Sequence, residues 1–227
     1  MDILAAHRAL ADPTRLAIAQ ALLGRDLSPG EIGDRWGLST SLTAHHIGDL
    51  VRAGIADKIR SEHDARKSYL TLRRSDHDVV TMVGVGLTPA HLTPARVAFV
   101  CTRNSARSKM AAAWWRRTSS VPVIDAGTHP AERPHPLAEQ TATSRGLHID
   151  PDMHEASSTV RDDDLVIAVC DHAHERLASS GPTDHLHWSV PDPIAADTPA
   201  AFERACDDLQ SRVHHLQHLL LPSQGSQ

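Results

Sequence analysis

Apolar and polar positions recur along this chain with different periods, and the changes of period divide it. From Leu10 the run Leu10-Ala11-Asp12-Pro13-Thr14-Arg15-Leu16-Ala17-Ile18 returns an apolar residue every three or four positions, the spacing of a helix with one buried face. Asp12 is placed to cap that helix and Pro13 to occupy its first turn. A short helix is expected from Ser28-Pro29-Gly30-Glu31-Ile32 to Trp36, with Gly37 breaking it. Another follows from a Ser39 cap to Val51. Its inward positions are read as Leu42, Ile47, Leu50 and Val51, which leaves Thr40, Ser41, Thr43, His45 and His46 near the outer face. After Gly54 the period drops to two. Residues 55–60, a polar tip at 61–65 and residues 66–72 read as a hairpin with a basic flank. Helix, glycine turn, polar-faced helix and hairpin in this order make a winged helix-turn-helix.

The pattern then lapses over residues 84–95, where Gly84, Gly86, Pro89 and Pro94 mark a linker. Residues 78–85 just before it could add to a dimer interface. Beyond the linker, short apolar runs near 97–100, 121–124, 165–169 and 185–188 alternate with helical spacing near 108–117, 136–146, 173–179 and 199–221. Strand–helix repetition of this kind predicts a doubly wound, four-stranded parallel sheet with helices on both faces and its chemistry at the carboxyl edge of the strands. The expected fold class is therefore α/β plus winged helix. The domains are residues 1–83, a linker at 84–95, a second domain at 96–222 and a tail at 223–227. For a chain of 227 residues these sizes are ordinary.

One segment concentrates reactive chemistry. The apolar run at 97–100 leads straight into Cys101-Thr102-Arg103-Asn104-Ser105-Ala106-Arg107-Ser108, and a helix follows. A tight loop between a strand and a helix start aims backbone N–H groups at one point, where the helix dipole adds positive potential. An oxyanion fits such a cradle, formed by Thr102, Arg103, Asn104, Ser105, Ala106 and Arg107, and the same field favours a thiolate at Cys101. Cys101 can then attack a tetrahedral oxyanion centre. Arg107 offers a planar fork to two oxygens, and Ser108 can hydrogen-bond the sulfur.

Cys101, five residues, then Arg107-Ser108 between strand and helix resembles the loop of the low-molecular-weight protein-tyrosine-phosphatase superfamily, which includes thiol-linked arsenate reductases. The resemblance implies a distant Asp-Pro general acid, matched by Asp192-Pro193 about ninety residues on. Three features lean toward the reductases. The chain has one Tyr and two Phe, and Ile194-Ala195 follow the Asp-Pro pair, so aromatic walls for a phosphotyrosine ring are missing. Ala126-Gly127-Thr128-His129-Pro130-Ala131 with His135-Pro136-Leu137-Ala138, and Asp164 through Glu175, are similar to reductase strands and loops. Of the three cysteines, Cys101, Cys170 and Cys206, none forms the internal shuttle pair of the thioredoxin-linked reductases, since Leu177 stands at its second position and Ala106 replaces the second loop cysteine. The resemblance is to the mycothiol-dependent branch, with Met110-Ala111-Ala112-Ala113 opening the helix. It implies no bound cofactor and an external thiol, mycothiol or similar, with a glutaredoxin-like reductant. Two departures are Lys109, where Gln is commoner, and Arg103, at a frequent glycine position where a positive φ would be costly. Cys170 closes a buried strand, as structural cysteines do, yet is a possible redox residue; Cys206 is read as core or surface.

Roughly residues 5–75 resemble the ArsR/SmtB regulators through Ala-Leu-Ala-Asp-Pro-Thr-Arg-Leu, the reader helix and the wing. That resemblance implies a homodimer, formed through the N-terminal domain, on a double-stranded DNA operator. Thr40, Ser41, Thr43 and His45 would approach base edges or phosphates, and Arg60, Arg66 and Lys67 the backbone. No cysteine precedes Cys101, so the family's usual arsenite site is missing. Residues 1–90 are charge-balanced and the net charge of −5 sits in the remainder, so DNA affinity should be modest and salt-sensitive. The 17 histidines, including the pairs 172/174, 185/187 and 214/218, lack a completing ligand set, and are taken as surface composition with no metal. No membrane span or signal segment is visible, and the thiols fit the cytoplasm. The expected activity is a fused transcriptional regulator and arsenate reductase. Two alternatives stand beside it: a phosphatase on a small phosphoester, and a non-catalytic oxyanion-sensing regulator. Cys101, Arg107 and Asp192 together favour turnover, because binding alone needs neither thiolate nor acid.

Overall fold

A computed structural model describes residues 2–74, 76–87, 94–180 and 184–220. The chain folds as two compact units, Met1–Thr88 and Pro89–Gln227. The central part of the expected linker and the tail at 223–227 lie outside the described residues.

The first unit is a winged helix. It contains α1 (Ile3–Leu10), α2 (Pro13–Ala21), α3 (Pro29–Trp36), α4 (Thr40–Arg52), β1 (Ala56–Arg60), β2 (Ser68–Leu72) and α5 (His77–Gly84). Each helix start in its centre is fixed locally. The Asp12 carboxylate accepts from Arg15 N at 2.9 Å. Ser28 and Glu31 form a reciprocal capping box at α3. Ser39 accepts from Leu42 N at 3.3 Å. Gly37 ends α3 with φ +62°, a conformation that glycine adopts without strain. β1 and β2 pair antiparallel from Ala56↔Leu72 to Arg60↔Ser68. Leu27 joins them through a two-way backbone bridge to Leu70. Neither that bridge nor α1, capped by Asp2, was expected from the pattern.

The phase of α4 differs from the expected one. Thr43, His46, Ile47 and Leu50 are its buried positions, while Leu42 is exposed. These four keep the i, i+3, i+4, i+7 spacing of one stripe, which the polarity of Thr43 and His46 conceals. Thr43 faces α3 at Gly33, where an added Cβ would lie 3.4 Å from its hydroxyl.

The second unit is the expected three-layer α/β fold. Its strands are β3 (Arg96–Cys101), β4 (Val123–Gly127), β5 (Asp164–Ala168) and β6 (Leu186–His187). They pair in parallel in the order β4-β3-β5-β6. β4 pairs on one side of β3, and β5, reached from β4 through two helices, pairs on the other, so the carboxyl end of β3 is a topological switch point. α6 (Arg107–Thr118), α7 (Pro136–Ser144), α8 (Ala156–Thr159), α9 (Asp171–Ser180), α10 (Pro193–Ala196) and α11 (Pro199–Leu220) complete it. Residues 97–100 are fully buried, as a strand covered on both faces must be, with Trp115 of α6 and Trp188 packed on Phe99. β4 begins two residues later than expected. Pro122 has no N–H for a ladder, and the Val121 carbonyl is taken by the Trp115 indole at 3.0 Å.

Besides His46, three histidines of the second unit depart from the surface reading. His187 is buried with its Nε2 3.0 Å from Asp171 Oδ1. His174 stacks on it at 4.1 Å and hydrogen-bonds His185 at 2.8 Å. Among the described residues, no helix is long and apolar enough to cross a membrane.

Candidate active site

Cys101 is the last residue of β3 and is buried. The chain then turns through residues 102–106 into α6. The turn is held from outside by its carbonyls. Those of Cys101, Thr102, Arg103 and Ser105 accept from the N–H groups of Thr128, His129, Ala131 and His135 at 2.8–3.0 Å. With those carbonyls drawn toward the segment after β4, the Asn104 N–H points inward and donates to the Cys101 sulfur at 3.2 Å. Asn104 has φ +53°; the left-handed position in the loop is therefore Asn104 and not Arg103, whose side chain is exposed. Asn tolerates this region better than most residues with a Cβ.

Gly127 makes the turn possible. A Cβ there would lie 2.9 Å from both Asn104 N and Thr102 O, which are backbone atoms that cannot move aside. Ala106, the N-cap of α6, supplies no side-chain cap, so the first turn of the helix is not closed by a hydroxyl or carboxylate of its own.

Ser108 is fully buried, with its hydroxyl 3.2 Å from the Cys101 sulfur. Arg107 is buried too, donates from Nη1 to the Val190 carbonyl at 2.9 Å and places Nη2 3.3 Å from Asp192 Oδ1. Asp192 caps the short α10 through Ile194 N at 3.2 Å, and its side chain is 34 % exposed. Cysteine, guanidinium and a partly open carboxyl therefore share one corner at the switch point, although Asp192 is about ninety residues from Cys101 in sequence. Thr102 and Ser105 line the same turn. Cys170 lies just past β5, with its sulfur 3.5 Å from Thr102 Oγ1. Burial pushes its thiol pKa up, and the Arg107 charge opposes this. Cys206 is a core residue of α11 that accepts from the Trp114 indole at 3.3 Å, and burial raises its pKa as well.

Behind the loop lies a buried polar network that the motif does not announce. Asp125 of β4 and Lys109 of α6 are both fully buried and 2.7 Å apart. Asp125 also accepts from Asn104 Nδ2 at 2.9 Å and from Arg116 Nη2 at 3.0 Å. An acid inside an apolar strand is the one signal for it in the sequence, because buried carboxylates require partners.

The profile of the low molecular weight phosphotyrosine protein phosphatases matches residues 96–223, more than half of the chain. The chain belongs to this family. Within the phosphatase family, its similarity extends to an arsenate reductase of Brevibacillus brevis, 30% identical over 121 residues that cover 51% of this chain and 88% of that protein. Arsenate reductase 1 of Bacillus cereus is 29% identical over 124 residues, with the same coverage. Among solved structures, an arsenate reductase of Archaeoglobus fulgidus is 29% identical with a TM-score of 0.45, covering 53% of this chain and 97% of that one. The tyrosine phosphatase Wzb of Escherichia coli K30 is 19% identical with a TM-score of 0.49, covering 53% and 94%. Ahead of the phosphatase-family unit, the MarR family profile matches residues 12–67.

On the winged helix, Thr40, Ser41 and His45 are exposed on α4, and His45 Nε2 is 3.5 Å from Asp49. Thr43 is the correction: at 2 % exposure it packs against α3 and presents nothing to a groove. Arg60 and Lys67 are exposed on the wing. Arg66 is exposed too but forks onto Asp64 at 3.0 and 2.9 Å, which draws the Asp64 pKa down to about 2.

Proposed function

We propose that this chain is a cytoplasmic DNA-binding regulator fused to an arsenate reductase. The observation that carries the reading is the corner formed by Cys101, Asn104 N–H, Ser108, Arg107 and Asp192 at the carboxyl end of β3. The names of the relatives matched by the second unit favour arsenate, as does Ile194-Ala195 after Asp192 in place of aromatic walls.

Arsenate sits over the loop with two oxygens on the Arg107 fork. The Cys101 thiolate attacks arsenic, and Asp192 protonates the departing hydroxide, which leaves as water. Ser108 and the Asn104 N–H stabilise the sulfur whenever it carries charge. A small external thiolate, mycothiol or similar, then attacks the Cys101 sulfur. The S–As bond breaks, its electron pair stays on arsenic, arsenite departs, and a mixed disulfide remains. The thiolate of a glutaredoxin-like protein then attacks the small thiol's sulfur in that disulfide, the S–S bond breaks, Cys101 leaves as the thiolate and the new mixed disulfide departs on the glutaredoxin-like protein. Cys170 is the nearby candidate for an internal redox role, but its raised pKa makes it the poorer attacking group.

The first unit binds a double-stranded operator as an ArsR-type homodimer, with Thr40, Ser41 and His45 in the groove and Arg60, Arg66 and Lys67 on phosphates. Exposed Ile3 and Leu4 on α1, and Val85 after α5, fit a dimer interface.

The deciding experiment is arsenate-dependent thiol consumption with mycothiol and its glutaredoxin-like partner, run beside hydrolysis of an aryl phosphate. Arsenite formation that is lost in Cys101→Ser is the expected result. Phosphate release without arsenite moves the chain to phosphatase chemistry. Neither activity leaves an oxyanion-sensing regulator.

A further inference from the structure

We propose that Lys109 and Asp125 are positioning residues that set the reactivity of Cys101 by locking the left-handed Asn104. The Asn104 N–H reaches the Cys101 sulfur only while its peptide keeps the φ of +53°. A residue with a Cβ holds that conformation only when its surroundings impose it. Here they do so through the side chain. Asn104 Nδ2 donates to Ser108 Oγ at 3.1 Å and to Asp125 Oδ1 at 2.9 Å, and Asn104 Oδ1 accepts from His154 N at 2.8 Å. The amide is thus gripped on one side by β4 and on the other by the segment at 152–154.

Lys109 ties those two walls together. Its ammonium donates to Asp125 Oδ1 at 2.7 Å and also to the Asp152 carbonyl. It sits one residue after Ser108, so the same turn of α6 that carries the sulfur's hydroxyl partner carries the clamp. Asp125 accepts from Asn104, Lys109 and Arg116 and is fully buried. Losing the ammonium leaves that carboxylate short of a donor and frees the 152–154 wall, and the two grips on Asn104 loosen together. The sulfur's partners are Asn104 and Ser108, and the pair acts through them.

The test uses the full chain and iodoacetamide at pH 7, with alkylation followed by mass spectrometry on each cysteine peptide. It rests on Cys101 being the nucleophile and not on which oxyanion reacts, so it can fail separately from the reductase reading. Lys109→Met keeps much of the volume without the charge, and Asp125→Asn keeps the shape. Alkylation of Cys101 is expected to slow roughly 10- to 100-fold in both while Cys170 and Cys206 stay protected. An unchanged Cys101 rate in variants that protect the other two overturns the proposal. If all three cysteines become reactive, the variant has unfolded, and Lys109→Ala is then read with and without ethylammonium. Recovery of the unaltered Cys101 rate with ethylammonium but not with ethanol supports the clamp; no recovery overturns it.

Discussion

α4 and α6 each carry residues of a proposed site, yet the two helices begin differently. Ser39 closes the start of α4 with its own hydroxyl, and the residues assigned to DNA stand on the solvent side of a finished helix. Ala106 leaves α6 without a side-chain cap, and the residues around that start are buried and bound to one another. A helix that reads a surface needs only to be stable and exposed. A helix that stabilises a reacting charge keeps its positive end available and holds its neighbours rigid beforehand. The cost of that arrangement appears in Asn104, Asp125 and Lys109, and α4 has nothing comparable.

Replacing the nucleophile breaks the comparison most sharply. Cys101→Ser should lower turnover by about 10⁴-fold or more while operator binding is unchanged. Weakened operator binding, measured by fluorescence anisotropy, would show that the two helices are not independent. Asp192→Asn retains the α10 cap but not the transferable proton, so turnover should fall about 10²- to 10⁴-fold with KM little altered. A pre-steady-state trace with no slowed chemical step would remove Asp192 from its role.

Arg66→Ala with Lys67→Ala should weaken binding to all DNA sequences alike and reduce the slope of log affinity against log salt by about one to two. An unchanged slope would mean that the wing does not meet phosphates. Gly127→Ala tests the rigid side of the comparison by pushing a methyl into the loop backbone. A loss of about 1–3 kcal/mol is expected in the second unit, read by calorimetry. Equal stability would mean that the loop yields. Ser39→Ala is the smallest change, about 1 kcal/mol from the first unit, with Cys101 alkylation unaffected.

Much of this was legible where the signal is local. Asp12 and Ser39 are capping residues by type and place, and each caps the helix expected of it. The Cys101–Ser108 spacing located the loop, and the full burial of residues 97–100 follows from an apolar run with no alternation. Where burial disagrees with polarity, the pattern misled. Thr43 and His46 read as outward because they are polar, and His187 as surface for the same reason, yet all three are buried. Arg103 drew attention through its position, whereas the positive φ falls on Asn104, whose side chain has three partners, the buried Ser108 and Asp125 and the half-buried His154 N–H.

By itself the sequence determined most of the helices and strands, the caps of α2 and α4 and which residues can do chemistry, because those depend on neighbours within a few positions. Only the tertiary structure decided that Val190 and Asp192 meet Arg107, that residues 128–135 turn the loop carbonyls outward, and that Lys109 and Asp125 brace Asn104. Those pairings join residues 16 to 85 positions apart, and what brings them together is a parallel sheet whose strands diverge from β3 on both sides.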